Sequence, residues 1–321
     1  MTAPSQGAKR AVALGHRLED LRIEREVLAR HGIALHDAGS LDDAAAIEAA
    51  RDADAVLLGA VMHLDAEAIS ALRSCRVIAR YGIGVDNVDL VAARAQGITV
   101  TVVRDYAVEE VSNHALALAL ALHRRLPQYD GAVRAGQWGS RAWGIPRLST
   151  CTFGVVGLGA IGRAVARKAR PFVDRVIGSD PLAAADQARD VDELVDLGAV
   201  LAGADIISLH LPLTPGTRGL IGAREICEMK DGAILVNASR GGIVDEEALR
   251  AALASGKLGG AGLDTTVAEP LPADDPLLRA PNLLVTPHVA WQSAGAREDL
   301  QRCAAEEVVS VLTGRRPRFA V

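Results

Sequence analysis

Residues 152–162 read Thr-Phe-Gly-Val-Val-Gly-Leu-Gly-Ala-Ile-Gly, placing the spacing G-x-G-x-x-G behind a short apolar run and at the start of a helical pattern. Gly157 permits a tight turn, Gly159 lets backbone approach a pyrophosphate, and Gly162 allows close packing of helix on strand. The helix start, with Ala160 and Ile161, would offer phosphate oxygens its N–H donors and the positive end of its dipole. A glycine turn alone fits many α/β proteins. Asp180 narrows the reading, because it ends the next strand-like run, Val173–Ser179, where an acid takes ribose hydroxyls. Asp180 is followed by Pro181, with no Arg or Lys beside it to neutralise a 2′-phosphate. The expected dinucleotide is therefore NAD rather than NADP.

Three further polar residues fall just past strand-like runs in the same half of the chain: Arg240 after ILVNAS, Glu269 after AGLD and a short loop, and His288 at the end of LLVTPH. Ligands of open α/β sheets bind at the carboxyl ends of strands. Hydride transfer to a 2-oxo acid needs a cation to hold the carboxylate and polarise the carbonyl, and a proton donor for the developing alkoxide. Arg240 has the planar fork for the first task. His288 suits the second, and Glu269 beside it would favour the protonated ring. Each alone has a plainer explanation, a solvated loop charge or a structural histidine. Their weight comes from sharing a sheet with a nucleotide turn.

The elements that must position these groups are legible in outline. With 321 residues the chain is long enough for two domains. Half of it is apolar but only 3% is aromatic, so the core must be built from Ala, Val, Leu and Ile. The net charge of −5 gives no basic footprint for nucleic acid or anionic lipid. The longest apolar run, Ala115–Leu122, is too short to span a membrane. MTAPSQGAKR at the start lacks the apolar region of a secretory signal. Cys75, Cys151, Cys227 and Cys303 are scattered, which reads as reduced thiols in a cytoplasmic protein, with no metal site expected.

Strand-like runs at Ala11–Gly15, Ala53–Gly59, Arg76–Arg80 and Ile98–Val103 alternate with helical patterns at 18–31, 65–72 and 89–96, predicting a first parallel sheet covered on both faces. Val108–Leu126 is predicted as a long helix ended by Pro127, apolar enough to lie buried between two domains. A second series follows, with strands at 151–156, 173–179, 204–210, 233–238, 261–264 and 283–286. The last helix, about Gly295–Gly314, is expected to pack back on the first domain.

Taken together, RYGIGVDNVDL (80–90), VEEVSNHALAL (108–118), FGVVGLGAIGR (153–163), SLHLPLTPGTRGLI (208–221), LVNASRGGIVDEEAL (235–249), AGLDTTVAEPLP (261–272) and TPHVAW (286–291) resemble the D-isomer-specific 2-hydroxyacid dehydrogenases. The similarity runs from about residue 76 to the end. RYGIGVDN and the Trp of HVAW point to the C-terminal-binding-protein-like and phosphoglycerate-dehydrogenase-like branch. The resemblance implies an α/β protein of two doubly wound parallel-sheet lobes. Residues 1–104 and 291–321 would form a flavodoxin-like substrate lobe, with a Rossmann NAD lobe, 105–290, inserted between them. It implies Arg240, Glu269 and His288 as the catalytic set. It assigns Asp264 to the nicotinamide amide, and Ser239, His210 and Pro212 to the cofactor border. Arg80, Trp291 and the backbone of Gly82, Ile83 and Gly84 would meet the substrate, and a homodimer through the NAD lobe is the family habit.

Two stretches depart from the family pattern. Val102-Val103-Arg104 stands where Asn-Val-Pro is common, and Thr265-Thr266-Val267 where acidic and aromatic residues are frequent. Arg104 could place positive charge at the substrate pocket, favouring a second anionic group, or could pair with Asp105, Glu109 or Glu110. Two other functions suit the scaffold: oxidation of phosphite, and NADH-sensing partner binding of the co-repressor type. A pure binder could dispense with the acid–base set, yet all three members are here. Formate enzymes of the superfamily carry Gln in place of Glu269. A Tyr–Lys mechanism is disfavoured, since none of Tyr81, Tyr106 and Tyr129 has Lys four residues on.

Overall fold

The computed structural model describes residues 9–139, 144–183 and 187–321. The chain divides into two compact units, one comprising the residues up to Tyr106 with Ser293–Val321, the other Ala107–Gln292.

The first unit is built on β1 (Lys9–Leu14), β2 (Ile33–Asp37), β3 (Ala55–Leu58), β4 (Val77–Arg80) and β5 (Thr99–Thr101). All pairs are parallel, in the order β2-β1-β3-β4-β5, the flavodoxin-like arrangement. Parallel strands need crossovers, and here short helices supply them. Asp42, Asp65 and Asp89 cap three of these helices, each carboxylate accepting N–H bonds from the first turn. The long helix Ala294–Leu312, capped by Ser293, packs on β3, β4 and the helix Arg22–Ala29. The core is aliphatic: Val12, Leu14, Val56, Leu58, Ile69 and Ile78 are all fully buried.

The second unit carries β6 (Thr152–Val156), β7 (Arg175–Ser179), β8 (Glu193–Leu194), β9 (Ile206–Leu209), β10 (Ala233–Asn237), β11 (Leu258–Leu263) and β12 (Leu283–Val285). These are again all parallel, in the order β12-β11-β10-β9-β6-β7-β8. The winding reverses between β6 and β9, and such a switch point opens a crevice at the carboxyl ends of the strands. β6, β10 and β11 are buried along their whole lengths, as strands covered on both faces must be.

Several expectations need correction. Pro127 does not merely stop a helix. The helix Val108–His123 ends first, and Pro127 then sits in the opening turn of a second one, Leu126–Arg134, where its missing N–H is no loss. Helix Val108–His123 buries one face, against β10, β11 and helix Ala160–Ala169 of its own unit. β2 and the helix Asp43–Ala50 were not anticipated. β2 is an edge strand whose burial is confined largely to Ile33, and the helix is mostly alanine, so neither shows strong periodicity. β8 is a two-residue edge strand, too short to signal itself.

Candidate active site

Gly157 lies at φ 93°, a conformation that favours glycine, and a Cβ there would collide with the carbonyl of His210. Gly157 N–H donates to Ser179 O (2.8 Å) and His210 N–H to Val156 O (2.7 Å), so the ends of β6, β7 and β9 are tied at the switch point. Gly162 is equally constrained, because a Cβ would run into the carbonyl of Gly157. Gly159 differs: it is the N-cap of helix Ala160–Ala169, has no side-chain cap, and its missing Cβ faces open space. The first-turn N–H groups, with Ala160 exposed and Ile161 partly so, are thus left for an anion. Asp180 accepts from Leu158 N–H (2.8 Å) through one oxygen and from Leu182 N–H (2.9 Å) through the other, fixing the end of β7 to the glycine turn.

His210 directly follows β9, with Nε2 2.8 Å from Ser208 Oγ. Burial pushes its imidazole down to about 4, so the ring is neutral at physiological pH. Its Nδ1 and the Thr265 hydroxyl are shut off from solvent with no hydrogen-bond partner among the described residues. Pro212 is exposed two residues on. An open glycine notch at an uncapped helix start, an acid at the next strand end and unsatisfied polar atoms fit a dinucleotide.

Arg240, Glu269 and His288 follow β10, β11 and β12, three neighbours in one sheet. His288 Nδ1 lies 2.7 Å from Glu269 Oε2, with both side chains about two-fifths exposed. Burial alone would raise the Glu269 carboxyl. The hydrogen bond and charge of His288, the N–H of Thr266 and the charge of Arg240 outweigh it and hold the group below the usual carboxylate range. The Arg240 loop reaches its neighbour because residue 241 is glycine, since a Cβ there would strike the carbonyl of Thr266. Asn237, buried at the end of β10, clamps the loop by accepting from Ser239 N–H (3.1 Å) and Oγ (2.7 Å) and donating to Arg240 O (2.7 Å). Sequence reasoning missed Asn237, though its place between a buried strand and Ser-Arg-Gly-Gly is a loop-clamping signal.

Asp264 is buried, and its carboxylate accepts from Thr286 Oγ1 (2.6 Å), Val289 N–H (2.9 Å) and Ala290 N–H (2.9 Å). Its own carbonyl takes His288 N–H at 2.8 Å. Three of about four lone-pair sites are therefore spent on the turn that presents His288, leaving one for a ligand amide. Trp291 follows this turn and is partly buried.

The remaining residues lie in the first unit. Arg80 ends β4, and its guanidinium folds back to donate to Tyr81 O, against Gly82. Gly82 lies at φ 121°, and its carbonyl accepts Val103 N–H at 3.0 Å, which sets Arg104 beside the loop Gly82-Ile83-Gly84. Among the described residues Arg104 makes no hydrogen bond or ion pair, and Asp105 instead faces Arg318 at 3.6 Å. In sequence the stretch Trp138–Arg147, with two tryptophans, reads as a loop that bears on pocket size; its residues 140–143, Trp143 included, lie outside those described.

Residues 116–290 match the family model described as D-isomer specific 2-hydroxyacid dehydrogenase, NAD binding domain. A D-3-phosphoglycerate dehydrogenase of Archaeoglobus fulgidus is 38% identical over 269 residues, 84% of this chain and 51% of that protein. A glycerate dehydrogenase of Methylorubrum extorquens is 39% identical over 259 residues, 78% and 80% of the two chains. The solved glyoxylate reductase of Paecilomyes thermophila superposes with a TM-score of 0.88 at 28% identity, covering 98% of each chain. Two parallel-sheet units, one with a glycine turn at its switch point, define a dinucleotide-binding α/β protein. The chain belongs to the D-isomer-specific 2-hydroxyacid dehydrogenase family, and the stretch that matches that family's NAD-binding domain, residues 116–290, lies within its second unit. It spans about half the length of the phosphoglycerate dehydrogenase relatives.

Proposed function

We propose that the protein is an NAD-dependent oxidoreductase interconverting a D-2-hydroxy acid and its 2-oxo acid. The observation that carries this reading is the gathering of a guanidinium, a carboxylate and an imidazole at the ends of β10, β11 and β12, on the sheet that bears the glycine turn. The names of family members, glycerate dehydrogenase and glyoxylate reductase among them, support the substrate class.

When bound, the nicotinamide supplies or accepts a hydride. Gly157–Gly162 would hold the dinucleotide's pyrophosphate, Asp180 its ribose hydroxyls, and Ser239, His210, Pro212 and Asp264 would border the rest. Arg240 holds the acid's carboxylate and polarises its carbonyl. Glu269 accepts the Nδ1–H of His288, which fixes the ring and leaves Nε2 to give a proton to the alkoxide oxygen, or take one in the reverse direction. Arg80, Trp291 and the amides of Gly82–Gly84 supply further contacts to the substrate. A cytoplasmic location is part of the reading, supported by four free cysteines. A homodimer through the NAD-binding unit is supported by helix Leu126–Arg134. It buries none of its residues, while Leu126 and Val133 are about half exposed and nearby Trp138 is 91% exposed.

His288→Ala is expected to lower kcat by about 10²–10⁴-fold, the range of a lost general acid, with Kd for NADH nearly unchanged. Turnover near wild type in that variant would remove the proton-transfer role. Arg104 is assigned to a second anionic group of the substrate, since its charge is not spent on a neighbouring acid. Arg104→Ala is expected to cut kcat/KM for a dicarboxylic or phosphorylated 2-oxo acid by roughly ten-fold or more relative to pyruvate; an unchanged ratio contradicts the assignment. Light scattering should give twice the chain mass, and Val133→Asp should halve it. A monomeric wild type rules out the dimer.

A further inference from the structure

We propose that His114 is a positioning residue for His288, acting through Thr286 and Asp264; this rests on the reading of His288 as proton carrier. His114 stands on helix Val108–His123, with Nε2 2.9 Å from Thr286 Oγ1 and 3.7 Å from Asp264 Oδ1. The threonine hydroxyl has one hydrogen, and it goes to Asp264 Oδ1 at 2.6 Å. With that hydrogen spent on Asp264, Thr286 Oγ1 can meet His114 only as an acceptor, and His114 Nε2 must carry hydrogen. The bonds run in one direction, from Nε2–H to Oγ1–H to Oδ1, so each polarises the next.

The far end of this chain is the turn that carries the proposed acid–base group. His288 sits at φ 55°, in the left-handed region, which is unfavourable for a non-glycine residue and persists only when the surroundings impose it. Asp264 imposes it by taking the N–H groups of His288, Val289 and Ala290 on its carbonyl and carboxylate oxygens. The Thr286 hydroxyl fixes the rotation of that carboxylate, and His114 fixes the hydroxyl. Without the His114 donor, Thr286 Oγ1 is released from one side, Asp264 can turn, and His288 leaves its 2.7 Å contact with Glu269. His114 touches none of the reacting groups in this scheme, so its effect should fall on the alignment of proton transfer and spare cofactor affinity.

The test uses the full chain. Imidazole ¹⁵N shifts should show His114 protonated on Nε2; protonation on Nδ1 alone overturns the proposal and requires no turnover to be read. His114→Leu should then lower kcat by about ten-fold or more, the scale of a misplaced catalytic group, with Kd for NADH unchanged. His114→Gln, whose amide nitrogen reaches where Nε2 lies, should restore most of the loss. Full turnover in the leucine variant, or a loss that glutamine does not repair, overturns the proposal. Should the leucine variant fail to fold, Thr286→Val breaks the same chain and is read the same way. Absence of turnover by the wild type with every 2-oxo acid counts against the proposed function instead, and leaves the ¹⁵N result standing.

Discussion

Asp264 directly follows β11 with its carboxylate out of solvent, and a buried acid must be given donors or it costs several kcal/mol. The donors come from one stretch of five residues, Thr286 to Ala290, at the end of the adjacent strand. Satisfying the acid therefore dictates the path of that backbone, including the left-handed turn at His288. The imidazole is thereby aimed at Glu269 from the next loop, and Arg240 is brought alongside by the glycine that follows it. Electrostatic need and chain geometry are coupled at a single residue.

The same logic of close approach governs the nucleotide end of the sheet. At Gly157 and Gly162 a side chain would strike backbone carbonyls, so glycine there is dictated by the protein's own packing. At Gly159 none of the described residues occupies the space, so glycine there is explained by what the turn must admit. The distinction separates two structural glycines from one that leaves room for a ligand, within six residues of sequence.

Much of this could be read from the chain before its fold. Glycines at fixed spacing and polar residues at strand ends are local signals, and parallel sheets announce themselves through unbroken apolar runs such as AILV (233–236). What escaped was of two kinds. β2 and helix Asp43–Ala50 lack strong apolar periodicity and owe their states to tertiary packing. His114, Thr286 and Asn237 escaped because their significance is relational. In sequence His114 merely closes an alanine–leucine run, and it is the packing of its helix on β10 and β11 that brings it to Thr286, 172 residues away. Asp264 was assigned to the nicotinamide amide alone, since pattern reasoning had no means of counting how many of its lone pairs the turn consumes.

The central claim is that these groups serve stereospecific hydride transfer to an acid, and isotope tracing addresses it most directly. NADH carrying deuterium at C4 should be incubated with the enzyme and a panel of 2-oxo acids, and the product examined by NMR and chiral chromatography. The account predicts a D-2-hydroxy acid with deuterium at C2, transferred from one face of the nicotinamide only. Product of L configuration, or deuterium absent from C2, would contradict it.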